Sequence, residues 1–119
     1  MPKAKLVRFD SVEHQERRPG VVLTSLVDGD TGATQISSGV AEFAAGASAP
    51  MHYHDAEESV IVIEGEGLMV INGEEHIVRP NDAAFISPGA HHSIANRGGQ
   101  PFKISWTYAS IDWSTTPVD

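Results

Sequence analysis

The sequence predicts an all-β fold, a single domain whose short strands close into a barrel or a two-layer sandwich. From Val21 onward, runs rich in Val, Ile, Phe and Thr are separated by Gly, Pro, Asn and Asp, the rhythm of strands and turns. No convincing helical period interrupts it. The clearest segment places Phe102, Ile104, Trp106 and Tyr108 on one face and Lys103, Ser105 and Thr107 on the other, so one face is buried and the other wet. Strands are expected at 21–27, 35–43, 59–64, 67–71, 75–78, 83–86, 93–95 and 102–109. Asn72-Gly73 falls between two of them and suits a tight hairpin, because both central positions of a type I′ turn need a positive φ. Open sheet edges invite aggregation, and closure into a barrel removes them while leaving an interior cavity.

With 119 residues, the chain has the size of one domain. The barrel is expected over 21–114, after an N-terminal extension or edge segment at 1–20 and before a tail at 115–119 that should fray. Within the extension, the polar stretch from Asp10 to Gly20 carries His14, Arg17, Arg18 and Pro19 and is expected on the surface or against a partner subunit. A 40% hydrophobic and 20% charged composition is that of an ordinary globular protein rather than a disordered one. The net charge of -8 opposes binding to nucleic acid or to anionic membranes, and no basic cluster larger than Arg17-Arg18 offsets it. No apolar run reaches the roughly 18 residues needed to cross a bilayer, and the start lacks the apolar core of a secretory signal, so a cytoplasmic location is the expectation. The absence of cysteine excludes disulfides, thiolate metal sites and cysteine nucleophiles. Any metal must be held by nitrogen and oxygen.

Four histidines, His52, His54, His91 and His92, fall in two tight groups where strands meet turns. On an extended segment the side chains of His52 and His54 leave the same face about 6 to 7 Å apart, able to converge on one ion. Glu58 lies far enough beyond His54 for a turn at Asp55-Ala56-Glu57 to bring its carboxylate back to the same centre. Two neutral imidazoles and a carboxylate suit Fe(II), Mn(II), Ni(II), Co(II) or Zn(II) and leave coordination positions open. His92 is the expected fourth ligand, with the side chain of His91 facing away from it.

These residues fall at the spacings of the two cupin motifs. Gly46, His52, His54, Glu58 and Gly65 follow the first, and Gly89, His92 and Asn96 follow the end of the second, so the chain resembles the cupin superfamily. The second motif departs from the family pattern at Asn81-Asp82, where Gly-Asp is usual, and at Ser87-Pro88-Gly89, where Pro-x-Gly is usual. Asn tolerates the left-handed backbone that Gly provides, so the loop shape should survive. The resemblance implies a double-stranded β-helix, a jelly-roll-like barrel, that holds one divalent transition metal per chain through His52, His54, Glu58 and His92.

Other residues invite a functional and a plainer reading. Glu57 is a candidate catalytic base, a replacement ligand, an orienting acid, or simply solvation for its turn. Met51, Phe85 and Trp106 are candidate walls of a substrate pocket, with barrel core as the plainer reading for the two aromatics. His14 and His76 read as surface, Asn96 as a structural hydrogen-bond partner, and Asp112 and Trp113 as a cap on the barrel or a contact with a second subunit. The resemblance implies a metal-dependent enzyme on a small organic substrate. A dioxygenase using Fe(II) is narrowly favoured over a lyase or isomerase, and over a non-catalytic metabolite-binding module. A homodimer is expected because small cupins commonly pair through edge strands.

Overall fold

The structure, a computed structural model, describes residues 1–118. Its strands are β1 (His14–Arg18), β2 (Val21–Val27), β3 (Ser37–Phe43), β4 (Ser48–His54), β5 (Glu58–Glu64) and β6 (Gly67–Ile71), followed by β7 (Glu74–Val78), β8 (Ala83–Ile86), β9 (His92–Ala95), β10 (Phe102–Tyr108) and β11 (Thr115–Pro117). They form two sheets, a six-stranded one in the order β1-β2-β3-β10-β5-β8 and a five-stranded one in the order β11-β4-β9-β6-β7. Every pairing between them is antiparallel. This is the all-β architecture expected from the strand rhythm, in the jelly-roll-like barrel form that the resemblance implies. Among the described residues no helix is long and apolar enough to cross a membrane.

Period-two burial builds the core. Phe102, Ile104, Trp106 and Tyr108 all point inward from β10, as do Val60 and Val62 from β5 and Ala41 and Phe43 from β3. Register then lines these residues into rows across the sheet: Ala41, Ile104 and Val62 in one, Gly39, Trp106 and Val60 in the next, and Ser37, Tyr108 and Glu58 in the last. The middle row depends on Gly39, because a Cβ there would run into the Thr24 carbonyl oxygen and lie 2.5 Å from the Trp106 ring. The turn at Asn72-Gly73 has φ of 49° and 83°, as the hairpin requires, and Asn81 takes the expected left-handed backbone at φ 77°.

Three strands were not foreseen. β1 arises in the polar extension and pairs with β2, so the segment from His14 to Arg18 is an edge strand. β4 carries the first two histidines. β11 corrects the expectation of a frayed tail: Thr115, Thr116 and Pro117 pair with His54, Tyr53 and His52. The edge of β4 offers free backbone partners to any extended segment that reaches it, and the chain after Ser114 does. Asp119, the end of the expected frayed segment, lies outside the described residues.

Candidate metal centre

The centre is assembled where the two sheets face each other. His52 and His54 come from β4, His92 from β9, and Glu58 starts β5 on the opposite sheet. β4 and β9 pair so that His52 sits directly across from His92, after an irregularity between Ala49 and His52 that contains Pro50. Proline has no N–H to give a ladder, and a bulge is where a strand tolerates it. The Gly89 amide donates to the His54 carbonyl at 2.9 Å, tying the turn before His92 to β4.

Each histidine is oriented through Nδ1. That atom lies 2.6 Å from the Pro50 carbonyl in His52, 2.9 Å from the Ala90 carbonyl in His92 and 3.2 Å from the Ser114 carbonyl in His54. A carbonyl oxygen only accepts, so Nδ1 carries the proton in each ring and Nε2 keeps its lone pair for a metal. The three rings meet with centroids 4.2 to 5.1 Å apart, and one ligand atom from each lies within 4.8 Å of the others. Burial pulls the His52 pKa down to about 4 and lowers that of His54, so both rings are neutral near pH 7.

Glu58 Oε1 lies 3.4 Å from Nε2 of His92 and 3.6 Å from Nε2 of His54. It is buried with no hydrogen-bond partner among the described residues. A buried carboxylate oxygen left without a donor is costly, and a cation between it and three inward-facing imidazole lone pairs would supply the missing partner. The donor set therefore fits a divalent transition metal.

Several supporting residues carry no motif signal. Asp55 accepts from the Ser114 amide at 2.8 Å, and Ser114 in turn presents its carbonyl to His54. That amide is also the main reason why the Asp55 pKa is lowered. Thr115 Oγ1 lies 3.1 Å from His54 Nδ1, so the last strand takes part in holding the ring. The Tyr108 hydroxyl lies 3.1 Å from His54 Nε2. Burial, followed by the Glu58 charge, raises the Tyr108 pKa, which keeps the phenol protonated. Inward alternation on β10 had marked Tyr108 as core, but only the fold reveals its neighbour.

Above the histidines is a cavity of about 430 Å³ whose lining includes Met51, Trp106, Tyr108, Trp113, Ile104 and the metal-site residues. Trp113 lines the pocket and stacks on Tyr108 with centroids 4.0 Å apart. Met51 and Trp106, two of the three candidate pocket walls, line this cavity. Phe85 does not: it is 66% exposed on the outer face of β8, because Ala84 and Ile86 take the inward positions of that short strand. Glu57 is exposed as well and does not line the cavity, since the chain enters β5 with Glu58 turned in and its predecessor turned out. His91 faces away as expected, stacking on Tyr53 at 5.4 Å. Asn96 is structural: its amide donates to the carbonyls of Phe43 and Gln100, and its side-chain oxygen accepts from Gly98.

Residues 39–108 match the sequence model of the cupin domain. The chain is 32% identical over 102 residues to the tetracenomycin polyketide synthase protein TcmJ of Streptomyces glaucescens, which covers 85% of this chain and 68% of that protein. Protein SchB of Streptomyces halstedii is 32% identical over 97 residues, 81% of this chain and 70% of that protein. Among solved structures, the polyketide cyclase RemF from Streptomyces resistomycificus superposes with a TM-score of 0.86 at 25% identity, covering 98% of this chain and 87% of that chain. The matched segment begins in β3 and ends on Tyr108, enclosing all three histidines, and with it the chain belongs to the cupin family.

Proposed function

We propose that this chain is a metal-dependent enzyme that closes rings on a polycarbonyl substrate of the polyketide type, without redox change. The observation that carries the proposal is the cavity itself, in which a nitrogen and oxygen donor set meets the aromatic wall of Trp106, Tyr108 and Trp113. Similarity to a polyketide cyclase over nearly the whole chain supports it. His52, His54, His92 and Glu58 would hold the ion. When bound, a divalent metal supplies Lewis acidity toward a carbonyl oxygen.

This chain's own residues then bind and orient the substrate. The aromatic wall favours a planar, folded chain and excludes water from it. Tyr108, protonated at all working pH values, is a hydrogen-bond donor beside the donor set. The narrow preference for a dioxygenase finds no specific support in these relatives. The preference for Fe(II) accordingly widens to any of Fe(II), Mn(II), Ni(II), Co(II) and Zn(II), because the reaction needs charge rather than electron transfer.

The test combines elemental analysis of anaerobically purified protein with product analysis and oxygen uptake on a linear poly-β-ketone surrogate. One metal per chain with ring closure and no oxygen consumption is expected. Oxygen uptake in step with substrate would move the assignment to a dioxygenase, and a metal-free wild-type protein would overturn the enzyme reading.

A homodimer is also proposed. Ile61, Ile63 and Phe85 are each more than two-fifths exposed, and all three lie on β5 and β8 of the six-stranded sheet, an apolar surface suited to a second copy. A monomeric sedimentation profile at micromolar concentration would reject it.

A further inference from the structure

We infer that Arg17 and Arg18 form an anion-binding rim that holds the negatively charged end of the substrate, a carboxylate or a phosphate, while its other end faces the three histidines. The inference rests on reading the cavity as a substrate site.

In a regular strand, consecutive side chains point to opposite faces. Between β1 and β2 the register slips: Glu16 pairs with Val22, and Arg18, not Arg17, pairs with the next residue, Val21. Arg17 is therefore the extra residue of a bulge, a feature that re-aims side chains. Its consequence is that Arg17 and Arg18 both line the histidine cavity although they are adjacent in sequence. They are the only arginine or lysine side chains among the residues described as lining it.

Their charge is also uncommitted. Among the described residues, neither guanidinium has a carboxylate within 4.0 Å, whereas Arg79 is paired with Glu66. In a chain of net charge -8, two exposed and unpaired arginines at one cavity mouth form a localised positive site. Guanidinium groups offer planar forks of donors that match carboxylate and phosphate oxygens. Arg17 also borders a neighbouring recess of about 600 Å³ lined by Glu13, Asp28, Asp30 and Asp112. Those carboxylates disfavour an anion on that side. Arg18 lines the histidine cavity and not the acidic recess, so the electrostatic preference is for an anion above the histidines.

The experiment is calorimetric titration of the metal-loaded chain with 1-naphthylacetate, its neutral analogue 1-naphthylacetamide, and 1-naphthyl phosphate. At low salt, wild type should prefer the acid over the amide by about tenfold, the scale of charge-assisted hydrogen bonds. In the Arg17→Gln/Arg18→Gln protein the preference should fall to about twofold or less, with amide affinity and melting temperature unchanged. Tighter binding of the phosphate with the same arginine dependence would support the rim and name a phosphate as its source. The same titrations on chelator-treated protein separate the rim from the metal reading. A preference that survives metal removal but not the arginine changes supports the rim even if the proposed chemistry is wrong. No acid preference in wild type, or one that persists in the double variant, overturns the inference.

Discussion

The hydroxyl of Tyr108 on one sheet lies 3.1 Å from Nε2 of His54 on the other. Since His54 Nδ1 faces the Ser114 carbonyl, Nε2 is the accepting nitrogen, and the protonated phenol is its donor. A metal needs the same lone pair. Tyr108→Phe should therefore destabilise the metal-free protein by about 1 kcal/mol, while metal affinity stays equal or rises about fivefold. Urea unfolding and chelator competition measure the two quantities. Metal binding weakened tenfold would show that the hydroxyl supports the ion instead of competing with it.

Removing His92 removes a buried inward-facing nitrogen. His92→Ala should lower metal affinity at least about 100-fold while the barrel remains folded, and Glu58→Gln should lower it by about tenfold or more. Glu57→Gln, at an exposed position, should leave metal content unchanged. Elemental analysis of the purified variants decides among these. Loss of metal on changing Glu57 would identify it as the ligand in place of Glu58.

For metal-free protein, acid should be destabilising through the histidines. Burial holds His52 at about 4, below its ordinary value of 6.5, and lowers His54 as well. Between these pH values the unfolded chain binds protons that the folded one refuses, so stability is intact above about pH 6.5 and falls as the pH drops toward 4. The urea midpoint should follow that course. A midpoint that rises on acidification would show an imidazole becoming charged within the fold, paired with Glu58.

Truncation after Ser114 should injure the site as well as the sheet. It removes the Thr115 hydroxyl beside His54 Nδ1 and the strand pairing along His52 to His54. A loss of metal affinity of about 10- to 100-fold is expected, as for other supports of a ligating histidine. Wild-type affinity in the truncated chain would reduce β11 to a covering strand.

Gly39→Ala should cost about 1 to 3 kcal/mol or more, because the added carbon would clash first with the Thr24 backbone carbonyl oxygen and then with the Trp106 ring in a row that is already filled. Thermal unfolding measures it. An unchanged midpoint would mean that β2 and the indole both shift to admit the methyl group at little cost.

How much of this was legible before the structure differed by residue. Strands 21–27, 67–71 and 83–86 were readable to the residue because runs of Val, Ile, Phe and Ala stop at Gly, Pro, Asn and Asp. β1 and β11 were not, because His14–Arg18 and Thr115–Pro117 are polar, exposed segments whose strand form comes from the neighbour they pair with. Phe85 misled because a four-residue strand has too few alternations to show which phase is buried.

Local chemistry written along the chain was sufficient for the barrel, for the identity of His52, His54 and His92 as a converging set, and for the structural role of Asn96. Spacing, side-chain type and the positive φ demanded by particular turns are properties of short segments, and they survive in a linear string. Tertiary structure decided that Pro50, Ala90 and Ser114 fix the imidazole tautomers, that Tyr108 and Glu58 share a row, and that a bulge turns Arg17 and Arg18 into one cavity. The Ser114 contact and the Tyr108–Glu58 row join segments distant in sequence, while the Pro50 and Ala90 contacts and the bulge are local in sequence but depend on backbone geometry and pairing register that the residue pattern does not encode.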